Sequence, residues 1–197
     1  MLMVQHPLPF FDERRSSRLI EYIILHYTDT SNLESTIEIL KQNELSSHYC
    51  VDEDGTIIKF VDEEKRAWHA GSSYWHGRDD INSSSIGIEI QNSGHSNGYK
   101  TFPKAQIDAV IKLSKDIMYR HNIPAKNVIA HSDIAPNRKQ DPGYLFPWKN
   151  LAMHGVGIWP NVTKDHIEKA RKIVEKEAKI KRLFKDIGYA PVNTFDI

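Results

Sequence analysis

A chain of 197 residues whose 26 basic and 26 acidic side chains cancel gives no electrostatic reason to expect nucleic acid or an acidic membrane surface as partner. That length suits one ordinary domain with room for a small appendage, and leaves too little for a second full domain. Cys50 is the single cysteine, which excludes an intramolecular disulfide and a thiolate zinc knuckle, so any bound metal must be held by nitrogen and oxygen.

The opening MLMVQHPLPFFDERRSSR lacks a basic start, an apolar run and a small-residue cleavage site, so no signal peptide is read there. No apolar stretch is long enough to span a bilayer. RLIEYIILHYT (18–28) is a nearly continuous apolar run and predicts a buried strand with His26 at its C-terminal end. TSNLESTIEILKQN (30–43) offers a Ser or Asn cap and apolar Leu33, Ile37 and Leu40 at helical spacing, which predicts a helix. SSHYCVDEDGTIIKFVD (46–62) gives two β-type runs around Asp54-Gly55, a hairpin.

The aromatic, aperiodic stretch from 63 to 85 reads as a long ordered loop. SIGIEIQN (85–92) alternates, with Ile86, Ile88 and Ile90 on one face and Glu89 on the other. FPKAQIDAVIKLSKDIMYRHNIP (102–124) carries a helical stripe of Ile107, Val110, Ile111, Ser114 and Met118 and must stop before Pro124. NVIAHSD (127–133) predicts a short strand ending at His131, and the Lys- and Glu-rich run from Lys164 to about Lys185 predicts one long amphipathic helix. The order predicts an α/β fold, a central mixed β-sheet flanked by helices.

His26 and His131 each end a predicted strand, where clefts form in open α/β sheets. With Asp141 on a Pro-stiffened loop they could give a metal two nitrogens and one oxygen, the ligand set of a catalytic zinc with a fourth place open. Each also has an ordinary reading, because ten histidines are present and most histidines are surface or hydrogen-bonded residues. Glu89 could be a general base or simply a solvated strand residue, and Lys139 could face a developing oxyanion or only water.

The segments HSDIAPNRKQDPG (131–143), LHYTDTSN (25–32), SSHYCVDEDGTIIKFV (46–61), RAWHAGSSYW (66–75), NSSSIGIEIQN (82–92) and FPWKNLAMHGVGIWP (146–160) together resemble the zinc-dependent N-acetylmuramoyl-L-alanine amidases of the type-2 amidase family, in order and at fitting distances. The last of them resembles the AmiD-like branch. The resemblance implies the fold shared with peptidoglycan-recognition proteins. It implies Zn2+ on His26, His131 and Asp141, with Glu89 as the acidic catalytic residue and Lys139 as the charge-stabilising one, and hydrolysis of the amide between N-acetylmuramic acid, or its 1,6-anhydro form, and L-alanine. Trp68 and His69 fall in a segment that runs along the substrate groove in relatives, which implies substrate contact. Tyr49 fits a packed strand position as well as a groove position.

The partners so implied are peptidoglycan or muropeptide fragments, met by a monomer with no nucleic acid and no transmembrane segment. The absence of a leader points to the cytoplasm and the AmiD-like resemblance to the cell envelope. The chain then divides into an N-terminal arm (1–17), the zinc amidase domain (18–163) and a C-terminal helix (164–197). That helix is either a cap on the sheet or the remnant of a peptidoglycan-binding domain, whose start RLFKDIGYAPVN (182–193) resembles. Alternative functions are a non-catalytic muropeptide recognition module of the same fold and a phage-type endolysin.

Overall fold

A computed structural model describes residues 3–14, 19–174 and 176–190. Six strands form a mixed sheet: β1 (Met3–Gln5), β3 (Tyr22–Leu25), β4 (Tyr49–Val51), β5 (Ile57–Lys59), β7 (Ser85–Ile90) and β8 (Val128–Ala130), in the order β1-β5-β4-β7-β3-β8. Only the β4–β5 hairpin is antiparallel; β4, β7, β3 and β8 run parallel side by side. A separate antiparallel pair joins β2 (Phe11–Glu13) to β6 (Lys65–Ala67). The segment read as an arm therefore supplies two strands, and the stretch read as a loop supplies one and a 3-10 turn at Ile81–Ser84.

Helices cover both faces because both faces of the parallel strands are apolar. On one side α2 (Lys104–His121) lays Ile107, Val110, Leu113 and Ile117 onto Ile23, Leu25, Ile86, Ile88 and Ile90. On the other, Ile24 and Ile129 pack with Trp75, Ile81 and Ile134, while Leu33, Ile37 and Leu40 of α1 (Leu33–Gln42) pack with Cys50, Ile58 and Phe60. Each such Ile or Leu moved out of water contributes about 1.5–3 kcal/mol. Side-chain amides fasten the C-terminal ends of the strands: Gln106 Nε2 donates to the Val51 and Gln91 carbonyls at 3.0 and 2.8 Å, and Gln91 Nε2 donates to the Thr30 carbonyl at 2.7 Å.

Past β8 come the short turn α3 (His131–Ile134), α4 (Trp148–Met153), α5 (Lys164–Val174) and α6 (Glu177–Ile187). The single long helix expected from Lys164 to about Lys185 is thus corrected to two, with Lys176 at φ −111°, ψ 79° outside the helical region. Helix propensity is continuous through this run, but from Lys164 through Lys172 every residue of α5 is exposed, so no packing holds a straight rod. Instead α6 ends where His76 N donates to the Gly188 carbonyl at 2.8 Å and Tyr189 packs edge-on against Trp75. Residues 191–193 of the proposed binding-domain remnant lie outside the described residues. Among those described, no helix is long and apolar enough to cross a membrane.

Candidate metal centre

The register of the parallel strands aligns the chemistry. Leu25 pairs with Ile88 on one side and Ala130 on the other, and Cys50 pairs with Glu89. One residue further, His26, Glu89 and His131 follow in the same row, on the face that carries Ile24 and Ile129 rather than the face under α2. His26 remains in the ladder, its N–H donating to the Ile88 carbonyl at 2.9 Å and its carbonyl accepting from Ile90 N–H at 3.1 Å. His131 opens α3, whose first turn is closed by Asp133 Oδ2 accepting from Ala130 N–H at 2.8 Å.

Asp141 reaches the same point from the loop after α3. Its carbonyl accepts from Ser132 N–H at 3.0 Å, and the next carbonyl, that of Pro142, accepts from the Tyr99 hydroxyl at 2.6 Å. Gly143 is needed here: it has φ +83°, and a Cβ on it would stand 2.5 Å from the Tyr99 oxygen.

Three ligand-type atoms converge. His26 Nδ1 and His131 Nδ1 are 2.8 Å apart, and Asp141 Oδ2 lies 3.2 Å from the first and 2.9 Å from the second. All three residues are buried. Ligands about 2.0–2.1 Å from one tetrahedral zinc stand about 3.3 Å from each other, so the trio fits a metal of that size within about half an ångström. Lone pairs so close in a dry pocket repel unless a cation or shared proton lies between them, and two imidazoles with one carboxylate are the donor set that Zn2+ takes. Burial lowers the His26 pKa to about 4, with His131 adding to the effect, which favours the neutral imidazole that a metal needs. Asp141 is held well below the ordinary carboxylate range: burial alone pushes it up, but the two neighbouring histidines outweigh that.

Glu89 stands beside this trio. The residue is half-buried, yet its Oε2 is sealed from solvent and has no hydrogen-bond partner among the described residues, so the solvated reading of Glu89 does not hold. Burial pushes its carboxyl well above the ordinary glutamate range; Asp141 adds to this and Lys139 opposes it. Lys139 itself is exposed on the loop between His131 and Asp141, and its positive charge acts on both His26 and Glu89.

Trp68 is half-buried and donates from Nε1 to Asp12 Oδ2 at 2.8 Å, which ties it to β2. His69 contacts the trio directly, with Nδ1 3.0 Å from His26 Nε2 and Nε2 3.2 Å from Ser85 Oγ. Burial, then the neighbouring His26, puts its pKa well below the ordinary value. His131 Nε2 is 3.1 Å from the Ala70 carbonyl, which also accepts from Arg138. Asn82, Ser85, Ala70 and Arg138 escaped the sequence reading, since small polar and loop residues bonding across 12 or more positions leave no periodic trace. A cavity of about 470 Å³ lined by Leu19, Glu21, Arg120 and His121 lies at the N-terminal end of β3, the far end from His26.

Residues 16–144 match the family model described as N-acetylmuramoyl-L-alanine amidase. The chain belongs to that family. It is 42% identical over 169 residues to the N-acetylmuramoyl-L-alanine amidase AmiD of Escherichia coli, a match covering 78% of this chain and 61% of that protein. It is 38% identical over 107 residues to the 1,6-anhydro-N-acetylmuramyl-L-alanine amidase AmpD of Enterobacter cloacae, covering 54% and 55%. The match thus spans about three fifths or less of the length of these relatives. Among solved structures, AmpDh3 from Pseudomonas aeruginosa superimposes with a TM-score of 0.82 at 34% identity, over 90% of this chain and 77% of that one. AmiD from E. coli, solved in complex with the substrate anhydro-N-acetylmuramic acid-L-Ala-D-gamma-Glu-L-Lys, superimposes with a TM-score of 0.75 at 34% identity, over 93% and 77%.

Proposed function

We propose that this protein is a zinc amidase that hydrolyses the amide between the lactyl group of N-acetylmuramic acid, intact or 1,6-anhydro, and the L-alanine of the stem peptide. The observation that carries the reading is the convergence of His26 Nδ1, His131 Nδ1 and Asp141 Oδ2 beside the buried Oε2 of Glu89, which has no partner among the described residues. Family membership and the substrate named for the AmiD complex supply the substrate class.

His26, His131 and Asp141 would hold the ion. A zinc ion bound there would supply Lewis acidity for the scissile carbonyl and would lower the pKa of water from about 15.7 toward about 7. Glu89, whose carboxyl burial pushes well above the ordinary glutamate range, accepts the proton of the attacking water and delivers it to the leaving alanine nitrogen. The water oxygen ends on the lactyl carboxyl group and the peptide leaves with a free amine. Lys139 places its ammonium where negative charge grows on the carbonyl oxygen, a contact whose loss costs about 100-fold or more in rate. Trp68, braced by Asp12, forms a wall along the bound muropeptide. The groups named run from Asp12 to Asp141, so the proposed catalytic unit includes strands β1 and β2 together with 18–163, and 164–197 follow it.

The test is a digest of purified muropeptide by zinc-loaded protein, with mass spectrometry of the released peptide headed by L-alanine. Wild type releases it; Glu89→Ala keeps one zinc per chain and loses at least 100-fold in turnover; His131→Ala loses zinc and activity together. Full turnover by Glu89→Ala would remove that residue from the mechanism. Retention of muropeptide by zinc-loaded wild type without release would replace the enzyme with a recognition module.

A further inference from the structure

We propose that His69 is a positioning residue that fixes which nitrogen of His26 faces the metal, and that it does so through a hydrogen-bond relay anchored at the Ile81 carbonyl. The direction of the relay follows from its far end. A backbone carbonyl can only accept, so the Ser85 hydroxyl donates to Ile81 O, 2.7 Å away. The Ser85 oxygen is then left to accept from His69 Nε2–H at 3.2 Å. With its proton on Nε2, His69 presents a bare Nδ1, and that atom accepts from His26 Nε2–H at 3.0 Å. His26 is thereby the tautomer whose Nδ1 lone pair points at His131 Nδ1 and Asp141 Oδ2.

The second histidine is set in the same way by the next residue. His131 Nε2–H donates to the Ala70 carbonyl at 3.1 Å, leaving its own Nδ1 bare. Consecutive residues of one loop therefore orient both imidazoles of the trio. Asn82 holds that loop, its Oδ1 accepting from the backbone N–H groups of His69 and Ala70 at 3.2 and 2.8 Å. The His69 ring itself has no freedom to swing away: it lies over Gly87, where a Cβ would come within 2.4 Å of its Cγ, and meets the His26 and His48 rings edge-on at 5.1 and 5.7 Å between centroids. Both ring nitrogens are occupied inside the protein, so His69 serves the ligand rather than the muropeptide. Partners of this kind typically change metal affinity or activity by about 10–100-fold when removed.

The inference rests on the metal-centre reading, and its test separates the two. Zinc affinity is measured by chelator competition for wild type, His69→Phe, which keeps a ring but has no acceptor, and His69→Asn, whose Oδ1 can take the place of Nδ1. Thermal melting and circular dichroism check that each variant is folded, and KM and kcat for muropeptide are measured at saturating zinc. Expected are a 10–100-fold weaker zinc affinity for His69→Phe, recovery of most of that loss in His69→Asn, and an unchanged KM in both. An unchanged zinc affinity with a raised KM in His69→Phe overturns the proposal and makes His69 a substrate contact. Equal losses in both variants also overturn it, since a purely steric role would not distinguish them. Failure of wild type to bind one zinc per chain strikes the metal-centre reading itself.

Discussion

Glu63 illustrates how much a single buried carboxylate controls at a distance from the site. Its oxygens accept from Arg120 Nη2 at 2.8 Å and the Tyr49 hydroxyl at 2.8 Å, and His121 Nε2 lies at 2.7 Å. Burial raises its pKa, but the hydrogen bonds from Arg120, His121 and Tyr49 outweigh that and leave it at about 2. A carboxyl depressed below its unfolded value stabilises the fold fully above the unfolded pKa, near 4.5, and the contribution is lost as pH falls toward about 2. At about 1.4 kcal/mol per pKa unit the gain is about 3 kcal/mol at neutral pH. Glu63→Gln should therefore lower stability by about that much at pH 7, with the gap to wild type closing as pH falls from about 4.5 to about 2; urea melts at several pH values give the curve. At this same scale the three residues that converge were named in the sequence through the family resemblance, since histidines at strand ends and an aspartate on a stiff loop each have an ordinary reading too. The burial of Glu89 was not legible there, since alternation assigns it to the polar face while the structure covers that face too.

At the scale of elements, propensity succeeded where capping and packing agree with it. Asn32 was one of two expected caps for α1, and its Oδ1 accepts from Ser35 N–H at 2.9 Å. Asn32→Ala should cost about 1 kcal/mol, typical of a lost N-cap, visible as a lower melting temperature with zinc affinity unchanged. The strand β7, the hairpin around Asp54-Gly55 and the stop of α2 at Asn122 before Pro124 were legible for the same reason: a period and a punctuating residue coincide. The strands β1, β2 and β6 were not: β1 and β2 are exposed throughout and β6 buries only Ala67, so none carries a buried face to read. They exist because partners 54 residues along the chain lie beside them, as Met3 pairs with Ile57 and Asp12 with Arg66. The break between α5 and α6 was hidden for the converse reason, since its cause is the docking of Gly188 and Tyr189 against Trp75 and His76 rather than any breaker in the run.

For the molecule as a whole, the candidate centre is where strands β3 and β8, the loop after α3 and the loop after β6 are forced together. Folding brings two imidazole nitrogens and a carboxylate oxygen within 3.2 Å in a buried site, an arrangement that opposes closure until a cation joins them. An ion that binds the folded chain and not the unfolded one stabilises by mass action, about 4 kcal/mol when its free concentration is 1,000 times the dissociation constant. A chain of this size gains about 2–4 °C in melting temperature per kcal/mol, so stripping zinc with a chelator should lower the transition by about 10 °C, and adding the ion back should restore it. Calorimetry on wild type and on His131→Ala isolates the cause. The variant should melt at one temperature with or without the chelator, because the trio is incomplete; a chelator shift of equal size in both would place the stabilising metal elsewhere in the fold.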